Sequence, residues 1–357
     1  ELAGRLADPA CRLLTLLGAP GSGKTRLALQ AAAEQLKLGA FPGGVHLVSL
    51  ESLTAAGQLV PALAEVLGLE LQSGGEPLAQ VAAHLGESER LLILDNFEHL
   101  TAAAGILPGL VQDCPNVTLL VTSRERLQLE EEHVFPIAGL AVPSRQRQVV
   151  AEAVRFDGVA LFERRARRSD PSFELTEENL PAVLRICSFV EGLPLGLELA
   201  AVWVRVLPPH EIAAELERNI DLLATPSRNV GERHRSLRSA FEHSWNLLTN
   251  AEKRVLGRLS VFDGGFRREA AGEVAGATIP LLAALVDKSL LRVDGAGRYD
   301  RHPLLHAYSL EKLEEDPAGA AETRRKHAEH FAEFLQAQME GAGGPGEAAL
   351  TAADGEL

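Results

Sequence analysis

The most specific chemical signal in the sequence is a phosphate-binding pattern, GAPGSGKT, at Gly18–Thr25. It matches G-x-x-x-x-G-K-[ST] and lies between an apolar run and an Ala/Leu-rich segment, as such a loop requires. Its glycines let successive N–H groups point into one concavity at a helix N-terminus, which favours an anion. The alternative is a glycine-rich turn that only joins a strand to a helix. The residues predicted to bind nucleotide here are Gly21, Ser22, Gly23, Lys24, Thr25 and Arg26.

A magnesium site is predicted from Thr25 and Asp95. Lys24 is expected to reach the β and γ phosphates, and the Thr25 hydroxyl is expected to ligate Mg²⁺. Asp95 ends the apolar run of RLLILDN (Arg90–Asn96), so its carboxylate should emerge at the carboxyl edge of a parallel sheet, where ligands bind. We expect Asp95 to hold the same Mg²⁺. The alternatives are a helix N-cap and a surface carboxylate.

The residue after Asp95 bears on how fast a bound nucleotide would be hydrolysed. Fast NTP hydrolases usually place a second carboxylate there, but this chain has Asn96, and an amide cannot act as a general base. Glu98 could orient water or could cap the following helix, and the sequence does not choose between these. We therefore expect slow ATP hydrolysis that serves a switch. The catalytic candidates are Lys24, Asp95, Glu98 and Arg124.

Arg124 is the candidate sensor of a third phosphate. It follows the apolar run of LLVTSRERL (Leu119–Leu127), which is a predicted strand. An arginine at the carboxyl end of a strand beside the phosphate loop can contact the γ-phosphate and so distinguish ATP from ADP. The alternative is a surface arginine that is exposed to solvent or forms an ion pair there, without contact to a nucleotide.

The candidate residues lie in about the first 140 residues, where short apolar runs alternate with amphipathic segments. The elements that these segments form must position the side chains. Strand–helix alternation predicts an α/β fold, a P-loop NTPase domain with a parallel sheet and helices on both faces. The predicted strands are Arg12–Leu17, Gly44–Leu50, Leu91–Leu94, Val117–Val121 and His133–Ile137. The predicted helices are Thr25–Leu38, Ala55–Leu67, Leu78–Leu85 and Thr101–Val111.

The rest of the chain predicts an all-α helical domain and then a winged-helix domain. Only helical periodicity is visible from Ala151 to about Leu223. Three helices and a hairpin around Gly295–Gly297 then form a winged-helix pattern, followed by an amphipathic helix over Ala320–Met339. The three predicted helices are Leu237–Leu248, Ala251–Ser260 and Ile279–Val286, and the polar segments 141–148 and 225–232 are predicted linkers. The predicted domains are 1–142 (P-loop, nucleotide-binding), 150–225 (helical), 226–315 (winged-helix) and 318–357 (helical arm or start of a C-terminal sensor).

Composition narrows the classes of function. The net charge is −14, which disfavours general nucleic-acid binding by the whole chain. No apolar run approaches the ~18 residues of a membrane span. The three cysteines have no CxxC spacing, which favours a reducing, cytoplasmic location. Because the first residue is Glu, we interpret the sequence as part of a longer protein.

Several motifs in order resemble the NB-ARC branch of the STAND ATPases (signal transduction ATPases with numerous domains). The resemblance covers nearly the whole chain. Within this branch, the chain is most similar to bacterial transcriptional regulators that carry tetratricopeptide sensors. The segments that carry it are GAPGSGKTRLAL, LLILDNFEHL, LLVTSRERL, EGLPLGLELAA (Glu191–Ala201), the segment Arg233–Phe266, LAALVDKSLL (Leu282–Leu291) and RYDRHPLLHAYSLEKL (Arg298–Leu313).

The resemblance implies roles for two residues of the second half. Pro194 matches the proline of the family's GLPL motif, which lies against the adenine. His302 matches a histidine that contacts the β-phosphate of ADP and holds the winged helix over the nucleotide. Here the triplet is Arg301-His302-Pro303, in which proline replaces the family's aspartate. The family's Gly-Arg-Glu segment beside the adenine is not matched by the first residues of this chain.

The resemblance implies an ATP/ADP- and Mg²⁺-dependent signalling switch. ADP would hold a closed resting state, and exchange for ATP would open it for assembly into a homo-oligomer that regulates an effector in transcription. An inducer would act through a C-terminal sensor, and an N-terminal effector is a further expected partner. No membrane partner is expected.

Two other classes of function are weighed against the switch. A DNA-binding winged helix is the first, and residues 226–312 carry 14 Lys and Arg against 10 Asp and Glu. The predicted third helix, IPLLAALVDKSLL, is mostly apolar, so direct DNA contact is not expected. A metabolic NTPase or kinase is the second, and it would need a small-molecule site and an acid beside Asp95.

Overall fold

The computed structural model describes residues 1–143, 149–223 and 236–341. These belong to two compact units, and the division along the chain falls between Ala138 and Gly139. Most of the predicted linker at 141–148 lies outside the described residues. The linker at 225–232, the predicted start of the winged-helix domain at 226 and the tail beyond 341 also lie outside them.

The first unit is built on a five-stranded parallel sheet with the order β2-β3-β4-β1-β5. This confirms the predicted α/β fold class. The strand β4 lies between β1 and β3, so residues at the carboxyl ends of these three strands share one edge of the sheet. The strands are β1 (Leu13–Leu17), β2 (Val45–Ser49), β3 (Arg90–Asp95), β4 (Val117–Ser123) and β5 (Glu132–Pro136).

Helices cover both faces of this sheet because successive residues of a strand point to opposite sides. On one face Ala28 and Ala32 of the second helix pack with Leu14 and Leu16 of β1. On the other face the third, fourth and fifth helices pack on residues such as Leu13. All five residues of β1 are therefore buried, as is typical of a parallel strand covered on both sides. The helices are α1 (Leu2–Leu6), α2 (Lys24–Leu38), α3 (Leu59–Val66), α4 (Pro77–Leu85) and α5 (Leu107–Asp113).

The helix predicted over Thr101–Val111 is divided in the structure. Residues Thr101–Ile106 form a 3₁₀ helix, and α5 begins only at Leu107. Pro108 lies in the first turn of α5, and a proline has no N–H with which to continue an α-helix from the preceding turn. The division therefore follows from the position of Pro108.

The described residues of the second unit form helices and one short hairpin, as predicted for the region after the sheet. The helix predicted over Ala320–Met339 is present within the last helix of the unit. The helices are α6 (Val150–Ala153), α7 (Asp157–Ser169), α8 (Leu180–Phe189), α9 (Pro194–Ala201), α10 (Pro209–Arg218), α11 (Leu237–Asn246), α12 (Asn250–Leu259), α13 (Arg268–Ala275), α14 (Ile279–Asp287), α15 (Pro303–Glu314) and α16 (Pro317–Gly341).

Between residue 236, where the described part of the chain resumes, and the hairpin there are four helices, not the predicted three. The prediction missed α13, which has eight residues and is followed by Gly276, whose φ is 69°. Its buried face consists of Ala270, Ala271, Val274 and Ala275. Because only one of these is larger than alanine, the apolar periodicity that reveals a helix is weak here.

The hairpin predicted around Gly295–Gly297 is present. The strands β6 (Arg292–Val293) and β7 (Tyr299–Asp300) are antiparallel. The side chain of Asp294 closes the connecting loop, because Oδ1 accepts hydrogen bonds from the N–H groups of Ala296 and Arg298, each 2.9 Å long. A further bridge between Phe266 and Tyr299 extends the pairing by one segment.

Within the described ranges no single helix has both the length and the apolar character to cross a membrane. The helices α13 and α14 meet those criteria only as a pair, and the chain bends by 107° between them.

Candidate functional site

The phosphate loop is formed by two glycines with positive φ angles, followed directly by a helix. Gly21 has φ 78° and Gly23 has φ 90°, a region that favours glycine. Gly23 precedes the first residue of α2, and no side chain caps the helix there. The N–H groups at the start of α2 therefore remain available to an anion.

Lys24 lies inside the loop that is expected to receive phosphate. Its ammonium donates to the carbonyl oxygens of Gly18, at 2.8 Å, and Ala19, at 3.1 Å. Its side chain is buried, and burial lowers the pKa of Lys24 to about 8. A desolvated ammonium that donates to neutral carbonyl groups is a strong partner for an anionic phosphate. Ser22 is also buried, and its hydroxyl has no hydrogen-bond partner among the described residues, as expected for a group that faces a ligand site.

Thr25 and Asp95 lie together, as the magnesium prediction requires. The Thr25 hydroxyl donates to Oδ1 of Asp95 over 2.7 Å. A hydroxyl and a carboxylate suit Mg²⁺, which takes few protein ligands and keeps several waters or phosphate oxygens. The described residues contain no group of three or more His, Cys, Asp or Glu side chains that could hold a metal ion without a nucleotide.

Thr122 is part of this arrangement although the sequence did not single it out as a site residue. Its hydroxyl donates to the same Oδ1 of Asp95 over 2.6 Å and accepts from the N–H of Asn96 over 2.9 Å. Thr122 is fully buried on β4, next to β3. The signal in the sequence was a polar residue near the end of an apolar strand, two residues before the candidate sensor.

Asn96 turns the chain sharply after β3. Its φ is 65°, a left-handed conformation that asparagine tolerates better than most residues. A 3₁₀ helix, Phe97–His99, follows and carries Glu98. The carboxylate of Glu98 does not cap the next helix. Oε1 instead lies 2.8 Å from Nε of Arg124, and the two side chains are 2% and 11% exposed.

Four charged side chains therefore converge on the carboxyl edge of the sheet. After burial, the charges that most affect the pKa of Lys24 are Glu98, Arg124 and Asp95. The two cations and two anions balance formally. Oε2 of Glu98 is buried and has no hydrogen-bond partner among the described residues. The arrangement can accept a further anion with a bound divalent cation without a large change in net charge.

His302 lies in the second unit, where both of its ring nitrogens have partners. Nδ1 accepts from the N–H of Leu304 over 3.1 Å and so caps α15, with Pro303 in the first turn. The neutral ring then carries its hydrogen on Nε2, which donates to the carbonyl oxygen of Val190 over 3.1 Å. Burial lowers the pKa of His302, which favours this neutral form.

Pro194 begins α9, after a turn in which Glu191 and Gly192 both have positive φ angles. The hairpin contacts this turn through charge. Arg292 donates to both carboxylate oxygens of Glu191, over 2.7 and 3.0 Å, and to Asp300 over 3.1 Å. Pro194 and His302 are thus connected within the second unit through the turn at 190–192.

The comparisons with known proteins agree with the geometry of the first unit. Residues 8–129 match a protein family described as "AAA domain". The "Uncharacterized protein Rv0894" of Mycobacterium tuberculosis is 31% identical over 345 residues, which are 93% of this chain and 84% of that protein. The chain belongs to the same family as this mycobacterial protein. The AAA P-loop fold of the first unit implies nucleotide binding.

Longer relatives of the chain are named as regulators. The "Putative HTH-type transcriptional regulator Rv0890c" of M. tuberculosis is 34% identical over 332 residues, 90% of this chain and 36% of that protein. "Regulatory protein AfsR" of Streptomyces griseus is 27% identical and covers 88% of this chain and 32% of that protein. The chain spans about a third of the length of these relatives. The resemblance to bacterial transcriptional regulators predicted from the motifs is confirmed.

Two solved structures are similar to the chain over most of its length. A STAND protein with a tetratricopeptide repeat sensor from Pyrococcus horikoshii is 19% identical with a TM-score of 0.33, over 92% of this chain and 45% of that one. The ORC2 protein of Aeropyrum pernix is 12% identical with a TM-score of 0.47, over 88% of each chain.

Proposed function

We propose that this AAA protein is the nucleotide-dependent switch of a larger transcriptional regulator. ADP holds a closed resting state, and exchange for ATP opens it for assembly with further copies of the chain. The observation that carries the proposal is the convergence of Lys24, the Thr25–Asp95 pair and Arg124 at one edge of the sheet. This edge offers a cation for two phosphates, a magnesium site and a group that can distinguish a third phosphate.

The nucleotide is ATP or ADP with Mg²⁺. The backbone N–H groups of Gly21, Ser22 and Gly23 receive the phosphates, together with the side chain of Lys24. Thr25 and Asp95 supply the protein ligands of Mg²⁺, whose charge offsets the phosphates when it is bound. Arg26, which is exposed at the start of α2, belongs to the proposed nucleotide-binding set.

Hydrolysis is proposed to be slow. Asn96 supplies no carboxylate beside Asp95, and Glu98, the remaining candidate to orient water, is paired with Arg124. A water molecule without a base near it reacts slowly, so the nucleotide state persists. Slow turnover suits a switch whose output depends on which nucleotide is bound.

The second unit is proposed to hold the resting state. We interpret the helices from α11 to α14 and the hairpin as a winged helix, with Pro194 serving the adenine and His302 the β-phosphate in the closed state. Supporting this, Arg292 and His302 contact the same turn that precedes Pro194. Release of that turn would free His302 from the carbonyl group of Val190. Changes in nucleotide can shift such an equilibrium only through contacts that differ between the two states.

Direct DNA contact by α14 is not part of this proposal, although relatives are named HTH-type transcriptional regulators. The exposed side of α14 carries Ile279, which is 60% exposed, together with Pro280 and Ala283. An apolar surface of this kind does not neutralise phosphates, whereas DNA-reading helices carry basic and hydrogen-bonding side chains. A protein partner suits it better.

The test is to identify the nucleotide that copurifies with the chain and to measure its assembly state with ADP and with a non-hydrolysable ATP analogue. We expect copurified ADP, a monomer with ADP and larger assemblies with the analogue. Lys24→Ala should lose nucleotide binding, and His302→Ala should release ADP faster and assemble more readily. His210→Ala, at an exposed histidine of the same unit, is the matched control. Nucleotide affinity unchanged in Lys24→Ala would refute the proposal.

A further inference from the structure

We propose that Glu98 is a positioning residue for Arg124, and that preference for a triphosphate over a diphosphate depends on this ion pair. The inference rests on the proposed function, because it concerns how the same site distinguishes ATP from ADP. This role in binding differs from the two roles considered for Glu98 from the sequence, which were to orient water and to cap the following helix.

The first support is the burial of the pair. Glu98 is 2% exposed and Arg124 is 11% exposed, with 2.8 Å between Oε1 and Nε. An arginine side chain is long and flexible, but its guanidinium is planar and binds phosphate oxygens best in that plane. An acceptor at Nε fixes the orientation of the plane. Glu98 therefore restricts the orientation of the guanidinium of Arg124.

The second support is the rigid attachment of Glu98. The turn that carries it begins at Asn96, whose N–H donates to the buried hydroxyl of Thr122. Thr122 lies on β4, two residues before Arg124. Glu98 and Arg124 are thus connected twice, through the ion pair and through the Asn96–Thr122 hydrogen bond. Such a closed arrangement holds a functional side chain to the narrow geometry that phosphate recognition needs.

The third support is the division of partners among the charged groups. Oδ1 of Asp95 accepts hydrogen bonds from two hydroxyls. One belongs to Thr25 of the proposed magnesium site, and the other belongs to Thr122 of β4. Glu98 supplies a separate carboxylate for Arg124. The ion pair of the sensor and the hydrogen bonds of the metal ligand therefore use different carboxylates.

A general base and a positioning residue predict different results for Glu98→Gln. A base acts in the chemical step only, so its loss would stop hydrolysis and leave the affinities for both nucleotides unchanged. A positioning residue acts on binding before any chemistry. Glutamine keeps an acceptor oxygen but lacks the negative charge that holds the guanidinium, so Glu98→Gln would weaken binding of the triphosphate and leave binding of the diphosphate nearly unchanged.

The experiment measures dissociation constants for Mg²⁺–ADP and for a Mg²⁺-bound non-hydrolysable ATP analogue by calorimetry on the full chain. The variants are Glu98→Gln, Arg124→Gln and the double variant. The control is Glu89→Gln, an exposed glutamate at the opposite end of β3. We expect each single variant to lose about tenfold in affinity for the analogue, with ADP almost unaffected. The double variant should lose no more than either single variant, because both act on one interaction.

A second variant covers the case in which Glu98→Gln does not fold. Glu98→Asp keeps the charge and withdraws the carboxylate by one methylene, and we expect it to lose part of the preference for the analogue. A Glu98→Gln or Glu98→Asp protein that keeps the full preference while hydrolysis falls would overturn the inference and leave the proposed function intact. Absence of nucleotide binding by the unmodified chain would overturn both.

Discussion

The hydroxyl of Thr122 on β4 donates to the carboxylate of Asp95 at the end of β3, across 2.6 Å. The same hydroxyl accepts from the N–H of Asn96. One buried side chain therefore fixes both the proposed magnesium ligand and the turn that carries Glu98. The order of the strands makes this possible, because β4 is hydrogen-bonded directly to β3.

Thr122→Val should destabilise the first unit and weaken Mg²⁺-dependent nucleotide binding. Valine has nearly the same shape, so the change removes two hydrogen bonds and leaves Asn96 N–H buried without a partner, at a cost of about 1–3 kcal/mol in the free energy of unfolding. Urea unfolding and calorimetry check this. Thr122→Ser should recover most of both losses, and Thr118→Val on the same strand is the control. Equal losses in the two valine variants would contradict a specific role for Thr122.

Nucleotide affinity should fall as the pH rises above about 8, because burial lowers the pKa of Lys24 to about 8. Below that value Lys24 is charged before binding. Above it, binding must be accompanied by proton uptake, so the affinity for ADP should fall by up to about tenfold per pH unit. The nucleotide phosphates are already fully ionised in this range. Calorimetry between pH 7 and 9.5 measures the slope.

Lys24→Arg is the control for this titration, since arginine stays charged throughout. Its affinity, whatever its value at pH 7, should change little with pH. Without nucleotide, burial of the charged Lys24 ammonium costs stability below pH 8, and this cost should decrease as the pH rises toward the ordinary value of 10.5. A flat affinity profile for the unmodified chain would show that Lys24 is not the titrating group.

His302 should stabilise the second unit through two hydrogen bonds that can be separated. His302→Asn keeps a cap for α15 but loses the bond to Val190, so we expect a loss of about 1 kcal/mol; His302→Ala loses both, about 2 kcal/mol. Because burial lowers the pKa of His302 below its ordinary 6.5, its contribution is present above that pH and is lost as the pH falls below it. Glu191 opposes this shift, while Arg292 adds to it. Urea unfolding at pH 5.5 and 7.5 should show a smaller pH effect in both variants.

Gly192→Ala should strongly destabilise the second unit. Its φ is 66°, and a Cβ atom there would lie 2.0 Å from the carbonyl oxygen of Leu140. The Leu140 N–H donates to the carbonyl oxygen of Gly192 over 2.8 Å, so the two segments cannot separate without losing a hydrogen bond. We expect a loss of at least about 2 kcal/mol in the free energy of unfolding. Gly295→Ala, where a Cβ atom meets nothing within 4 Å, should have little effect.

The elements that depend on local pattern were largely predictable. The five strands were predicted from short apolar runs, and the hairpin was predicted from the glycines at Gly295–Gly297. The missed helix α13 shows the limit, because a buried face made mainly of alanine carries little periodic signal. The divided helix at Thr101–Asp113 shows another, since one proline decides where α5 begins.

The contacts of His302 were not visible in the sequence. The ring of His302 itself caps α15, directly before Pro303, which stands where the family has an aspartate. Its second contact, with Val190, joins residues 112 positions apart in the chain. A pattern read over a few residues cannot contain that information.

The sequence by itself determined that a phosphate loop and an acidic strand end exist, because glycine geometry, Lys24, Thr25 and the apolar run before Asp95 are local features. Only the tertiary structure decided which side chains meet at that edge. Strand order is set by burial of both sheet faces over the whole unit, and it places β4 beside β3. That adjacency makes Thr122 a partner of Asp95 and Arg124 a partner of Glu98, and no spacing within the chain encodes either pair.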